Sequence, residues 1–228
     1  MKKIKTIVTI AIVILAISCK KASSKIISDT RPRDIDGNVY DTVVIGTQTW
    51  MVQNLKTTKY NDGTSIPTDL DDVAWANINI GAFTVYNANN TFNTTYYNDT
   101  YGKLYNWYAV NTGKLAPKGW HIPTDAECTT LTDYLGGENT AGGAMKATTL
   151  WNSPNTGANN SSGFTCLPAG RRDITGSFND LGNFGNFWSS TGLDRNNAWS
   201  RRMYFSSTDV SKYGTIKQTG LSVRCVRD

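Results

Sequence analysis

Pro123-Thr124-Asp125-Ala126-Glu127-Cys128, closed eight residues later by Gly136-Gly137, is the stretch that anchors the fold. Thr124 and Glu127 stand three apart, the spacing of a capping box: the threonine hydroxyl serves the Glu127 amide and the glutamate reaches back to the Thr124 amide. Pro123 precedes the cap, and the paired glycines supply the stop. Between them Cys128, Leu131 and Leu135 recur at helical spacing, so one face turns to a core. Upstream, Lys103–Val110 is expected as a second, short aromatic helix. Further upstream the text is turn-punctuated and β-branched: Asp36-Gly37-Asn38, Gly46-Thr47 and Asn61-Asp62-Gly63 separate the runs Val39–Ile45 and Gln48–Val52. That pattern predicts an N-terminal β-meander. Asn87–Thr100, rich in Asn, Thr and Tyr, is expected to be a surface loop. Downstream of Gly137 the sequence predicts loops and short strands, with Met203–Phe205 and Leu221–Val226 as closing strands.

The N-terminus is of another kind. Lys2, Lys3 and Lys5 precede an apolar run from Ile7 to Ile17, which is too short to span a bilayer and fits a signal-peptide core. It ends in Ala16-Ile17-Ser18-Cys19, which resembles a lipobox, with Ala16 where leucine is usual. The expected organisation is therefore a signal peptide at residues 1–18, a basic, serine-containing tether at 19–33, and a domain at 34–228. Cleavage would leave Cys19 as the acylated residue, and several acyl chains anchor stably where one is marginal. The expected location is the cell envelope, at the outer membrane, with the leaflet left open because Lys20 and Lys21 follow the cysteine.

The formal net charge of +5 suggests a nucleic-acid partner until the leader is set aside. Removing its three lysines leaves 20 basic against 18 acidic residues, a net charge of +2. Arg171, Arg172, Arg201, Arg202, Arg224 and Arg227 are scattered among aromatics instead of forming the concentrated cationic face that phosphates require. No nucleic-acid partner is expected. The 7 Trp and 11 Tyr supply enough bulk for a substantial core in a chain of 228 residues.

Several phrases, in order, resemble the Fibrobacter succinogenes major paralogous domain. They are Asp36-Gly37-Asn38-Val39-Tyr40, Trp50-Met51-Val52-Gln53-Asn54-Leu55, Tyr101-Gly102-Lys103-Leu104-Tyr105-Asn106-Trp107-Tyr108-Ala109-Val110 and Gly119-Trp120-His121-Ile122-Pro123-Thr124-Asp125-Ala126-Glu127. Then come Asn160-Ser161-Ser162-Gly163-Phe164, Leu167-Pro168-Ala169-Gly170-Arg171, Trp188-Ser189-Ser190-Thr191 and Ser222-Val223-Arg224-Cys225-Val226. The family's layout is similar to the formylglycine-generating enzyme domain, a variant of the C-type lectin-like fold. The resemblance implies a loop-rich α+β domain with an N-terminal β-meander, two helices and closing C-terminal strands. It brings no accepted catalytic residues, and fold likeness does not give function. The family usually has an aromatic residue where Cys128 stands and a small one where Cys166 stands, so the resemblance implies a Cys128–Cys166 disulfide, with Cys225 able to claim either partner.

His121 is the only histidine. A metal centre of two or three imidazoles is excluded within one chain, and a Ser-His-Asp site lacks its Gly-x-Ser-x-Gly elbow. A packed, hydrogen-bonded histidine is expected. Asp69, Asp71 and Asp72 lack the order of a calcium loop and read as solvated acids. No cofactor and no metal are expected, and no catalysis. The positive features are compositional: Trp151, Asn152 and Asn155, with Trp188 beyond, combine flat rings and amides, the groups that stack on sugars and bond their hydroxyls. The expected function is a lipid-anchored, non-catalytic binding module for a glycan or an envelope protein. The alternatives are a structural envelope component and an enzyme related to formylglycine-generating enzymes.

Overall fold

Two turn residues, Gly46-Thr47, join β1 (Thr42–Ile45) to β2 (Gln48–Met51) in an antiparallel pair with Ile45 opposite Gln48. The computed structural model describes residues 29–87 and 93–228, so the expected signal peptide and Cys19 lie outside the described residues. The chain from Arg31 to Asp228 is one unit. The expected meander stops at this hairpin, because the next neighbour of β2 is the C-terminal strand β11 (Val226–Arg227). The four-stranded sheet runs β1-β2-β11-β5, with β5 at Trp120–His121. Asn61-Asp62-Gly63 does turn the chain, but closes only an isolated Lys59–Ser65 bridge.

The middle of the chain departs from expectation in two places. Within the predicted surface loop, Asn93 caps a helix, α2 (Thr94–Tyr101), which follows α1 (Asp72–Ala76) and buries Tyr97 and Tyr101. Tyr86 stacks on Tyr97 at 5.3 Å, so tyrosines that look solvent-directed by composition form a core of their own. Lys103–Val110 is not one helix. Leu104–Tyr105 (β4) pairs with Phe83–Thr84 (β3), and only Trp107–Val110 (α3) is helical. Asn106 makes the break: its side chain accepts from the amides of Ala109 and Ala82 and donates to the Ile80 carbonyl. A buried Asn side chain that caps a helix and serves a neighbouring loop outweighs helix continuation.

The helix α4 (Asp125–Tyr134) forms where expected. Its capping box is complete, with Glu127 N–H to Thr124 Oγ1 at 3.2 Å and Thr124 N–H to the Glu127 carboxylate at 2.8 Å. Gly136 and Gly137 end it at φ +101° and +91°, backbone values that side chains oppose. A one-turn helix, α5 (Ala141–Met145), follows. The largest correction lies beyond it, where short strands were expected. β8 (Phe184–Gly192), β9 (Asn197–Tyr204) and β10 (Val210–Ile216) make a long antiparallel sheet in the order β10-β9-β8, and β6 (Ala169–Arg172) pairs with β7 (Phe178–Leu181) as a separate hairpin. With sixteen elements among the described residues, in small sheets and short helices, the molecule is α+β.

The closing segment stitches these pieces together. Gly220 exchanges backbone hydrogen bonds with Arg172, Leu221 with Tyr105, and Ser222 accepts from Trp188. Val223 accepts from Leu55, Cys225 from Met51, and Val226 lies between Trp50 and His121. Thr219–Val226 is buried throughout, so most of the expected strand Leu221–Val226 is instead an irregular extended thread touching every sheet. Arg224 is sealed within it. Its guanidinium donates to Asn54 Oδ1 at 2.6 Å and to the Phe164 carbonyl, and lies 4.3 Å from the Phe164 ring centre. Burial pulls its pKa down to about 10, which still leaves a charged arginine at neutral pH.

A candidate anion-binding cleft and a clamped histidine

Two Arg-Arg pairs sit on strands, and alternation sends their members to opposite faces. On β9, Arg201 turns inward to α4, where it donates to the Asp125 carboxylate at 2.7 Å and to Thr129. Lys212 reaches the same carboxylate at 2.6 Å; burial opposes the Asp125 charge, but these two cations hold its pKa below the usual carboxylate value. Arg202 turns the other way. On β6, Arg172 is buried over Trp75 and Phe178 and bonded to Asp72, while Arg171 is half-buried beside Asp180 at 2.9 Å.

The outward members meet in an open cleft of about 240 Å³ between the β6–β7 hairpin and the edge strand β10, lined by Arg171, Ile174, Arg202, Tyr213 and Thr215, among others. Arg202 is held rigidly there. Its guanidinium lies 4.4 Å from the Tyr213 ring centre and 5.0 Å from that of Phe184, and its Nε donates to Asn186 Oδ1 at 2.9 Å. Burial, and then the charge of Arg171, lower its pKa from the ordinary arginine value. Asp173, also in the cleft, is occupied by Thr175 and Asn179. No protein acceptor is found for the two terminal nitrogens of Arg202 among the described residues.

On a different part of the molecule His121 is gripped on both sides. Its Nδ1 lies 2.7 Å from Asp228 Oδ1 and its Nε2 2.8 Å from Glu127 Oε1. Burial disfavours the imidazolium, but the two carboxylates outweigh it and raise the His121 pKa above its ordinary value. With both ring nitrogens engaged, this histidine ties the C-terminus to the first turn of α4 and has no nitrogen turned to a substrate.

The Fibrobacter succinogenes major domain matches residues 43–227. The chain belongs to this family. No curated protein matches the chain. In this Fibrobacter succinogenes major domain the family phrases converge on the interior: Asn54 bonds Tyr101, Ser222 and Arg224, and Trp107 and Trp188 donate to backbone carbonyls of Ser189 and Tyr105. Those phrases are therefore mainly a packing signature. Arg171 belongs to one of them, whereas Arg202 and Tyr213 fall outside all eight.

The structure corrects the predicted ligand residues of the domain. Trp188 is 0% exposed and Trp151 9%, its indole N–H donating to the Cys166 carbonyl. Neither ring offers a face to solvent. Asn152 is exposed and bonded to Asn183, and Asn155 donates to the Ala147 carbonyl, so the four residues form no common site. The expected disulfide is also absent: Cys128, Cys166 and Cys225 are free and buried. Burial pushes the thiols of Cys128 and Cys166 up to about 12 and that of Cys225 higher still, which keeps them protonated and inert. Of the three clustered carboxylates, Asp71 caps α1 and Asp72 pairs with Arg172. The cleft was missed because an Arg-Arg pair inside a strand was counted as charge instead of being read with period two. That alternation was the available signal.

Proposed function

We propose that this Fibrobacter succinogenes major domain protein is a lipid-anchored, non-catalytic binding module of the cell envelope that takes a glycan in the Arg202–Tyr213 cleft. The lysine-rich leader and Cys19 support the anchor, and the outer membrane is the proposed location. The observation that carries binding is an open cleft with a guanidinium already fixed between two rings, which presents donors with little further ordering needed on binding. Its concave shape and about 240 Å³ suit a sugar unit better than a protein face, which ordinarily needs about 800 Å² per partner. His121 spends both nitrogens on carboxylates and the three described thiols are sealed, so this imidazole and these thiols are engaged in structure.

The test is a glycan array probed with the full-length protein in detergent, alongside Tyr213→Ala. Tyr213 is 42% exposed on an edge strand, so its loss should leave the thermal midpoint nearly unchanged while removing a wall of the cleft. Saccharide binding by the wild type that Tyr213→Ala abolishes is the expected result. Absence of any saccharide binding, or binding indifferent to Tyr213, overturns the assignment of this site.

A further inference from the structure

Resting on the binding-module assignment, we infer that the cleft selects acidic saccharides, with the planar end of Arg202 receiving a sugar carboxylate as a two-pronged hydrogen-bonded pair. The guanidinium has five donors in a fixed fork, and the protein occupies the Nε side through Asn186. The two terminal nitrogens have no protein acceptor among the described residues of the cleft that Arg202 lines, and the edge they form matches a carboxylate in plane and spacing. The Phe184 and Tyr213 rings, at 5.0 and 4.4 Å from the guanidinium carbon, crowd the group and oppose its turning away.

The local acids do not fill this role. Asp180 is 2.9 Å from Arg171, and Asp173 is consumed by Thr175 and Asn179. Arg171 and Arg202 both line the cleft, where Arg171 disfavours the Arg202 charge while Tyr213 and Asp180 favour it. Asp180 offsets Arg171 by direct pairing, so what remains for an acidic ligand is the pair of terminal Arg202 nitrogens without a protein acceptor among the described residues. Tyr213 supplies a hydroxyl at the same mouth for the rest of a sugar ring, the Thr215 hydroxyl being shared with Ser200 at 2.8 Å, and exposed Ile174 and Ile216 supply its apolar rim.

The test is titration of the full-length protein with a uronic-acid oligosaccharide, its neutral methyl ester, and sulfated and phosphorylated sugars, for the wild type, Arg202→Lys and Arg202→Gln. Charge-assisted hydrogen bonds are worth enough that the ester should bind about ten to a hundredfold more weakly than the acid. Arg202→Lys, which keeps the charge but not the fork, should lose about tenfold, and Arg202→Gln should lose all preference for the acid. Stronger binding of the sulfated or phosphorylated sugar than of the uronate overturns the carboxylate assignment. Equal binding of acid and ester, indifferent to both variants, overturns the inference while the binding-module assignment stands. Failure of every saccharide, acidic and neutral, removes both. Thermal midpoints matching the wild type qualify each variant, and Arg171→Gln, which leaves the stacked residue untouched, serves if Arg202→Gln does not fold.

Discussion

A tryptophan's role follows from which way its ring faces, and that depends on residues far from it in sequence. Trp188 is wholly buried and its indole N–H donates to Tyr105 across 83 positions of sequence. Removing it should leave a large void: Trp188→Ala is expected to lower unfolding free energy by about 3–5 kcal/mol in urea denaturation. A loss below about 1 kcal/mol would mean that the ring is not core. The cysteines make a second case. Their burial implies that Cys128, Cys166 and Cys225 stay unmodified by a thiol reagent in native buffer and react only as the protein unfolds. Rapid labelling of any of them in the native protein would contradict the packing. Composition correctly marks these residues as weighty but is silent on direction, so the ligand site assigned to Trp151 and Trp188 and the bridge assigned to two cysteines both failed.

At the level of elements, α4 was readable because everything that starts and stops it lies within a few residues. Its attachment was not. The His121 clamp joins β5, α4 and the final residue, and its energetics have a definite pH window. His121 has a folded pKa above its ordinary 6.5, so its contribution is complete below 6.5 and fades as pH rises through the raised value. Glu127 has a folded pKa below its ordinary 4.5, despite burial, through Thr124 and His121; its contribution is complete above 4.5 and fades as pH falls through the lowered value. The clamp is strongest between those limits. The thermal midpoint should therefore decline as pH climbs beyond 6.5, and His121→Gln should flatten that decline. An unchanged slope in the variant would assign the decline to other groups.

For the molecule as a whole, the C-terminal thread is the element on which the others depend. Residues 219–226 bond to β6, β4, β8, the segment after β2, and β2 itself, and they carry the buried Arg224. Each small sheet has few strands, and isolated two-stranded hairpins are marginal in water. Shortening the chain to end before Leu221 is thus expected to abolish cooperative thermal unfolding and the near-ultraviolet signal of the packed tryptophans. A truncated chain with a sharp transition near that of the full-length protein would show that the sheets hold without the thread.

Local physics decided what could be read directly. A capping box, a glycine stop and a β-turn each act over a handful of neighbouring residues, so α4 and the β1–β2 hairpin form where the sequence places them, and the ordered family phrases place the chain in its family. The cleft is different in kind. Arg202 depends on Phe184, Asn186, Tyr213 and Arg171, brought together by the β8–β9–β10 register and by docking of a separate hairpin. A slip of β9 by one residue against its neighbours would turn Arg202 into the core and Arg201 out to solvent, and only the folded packing chooses between them.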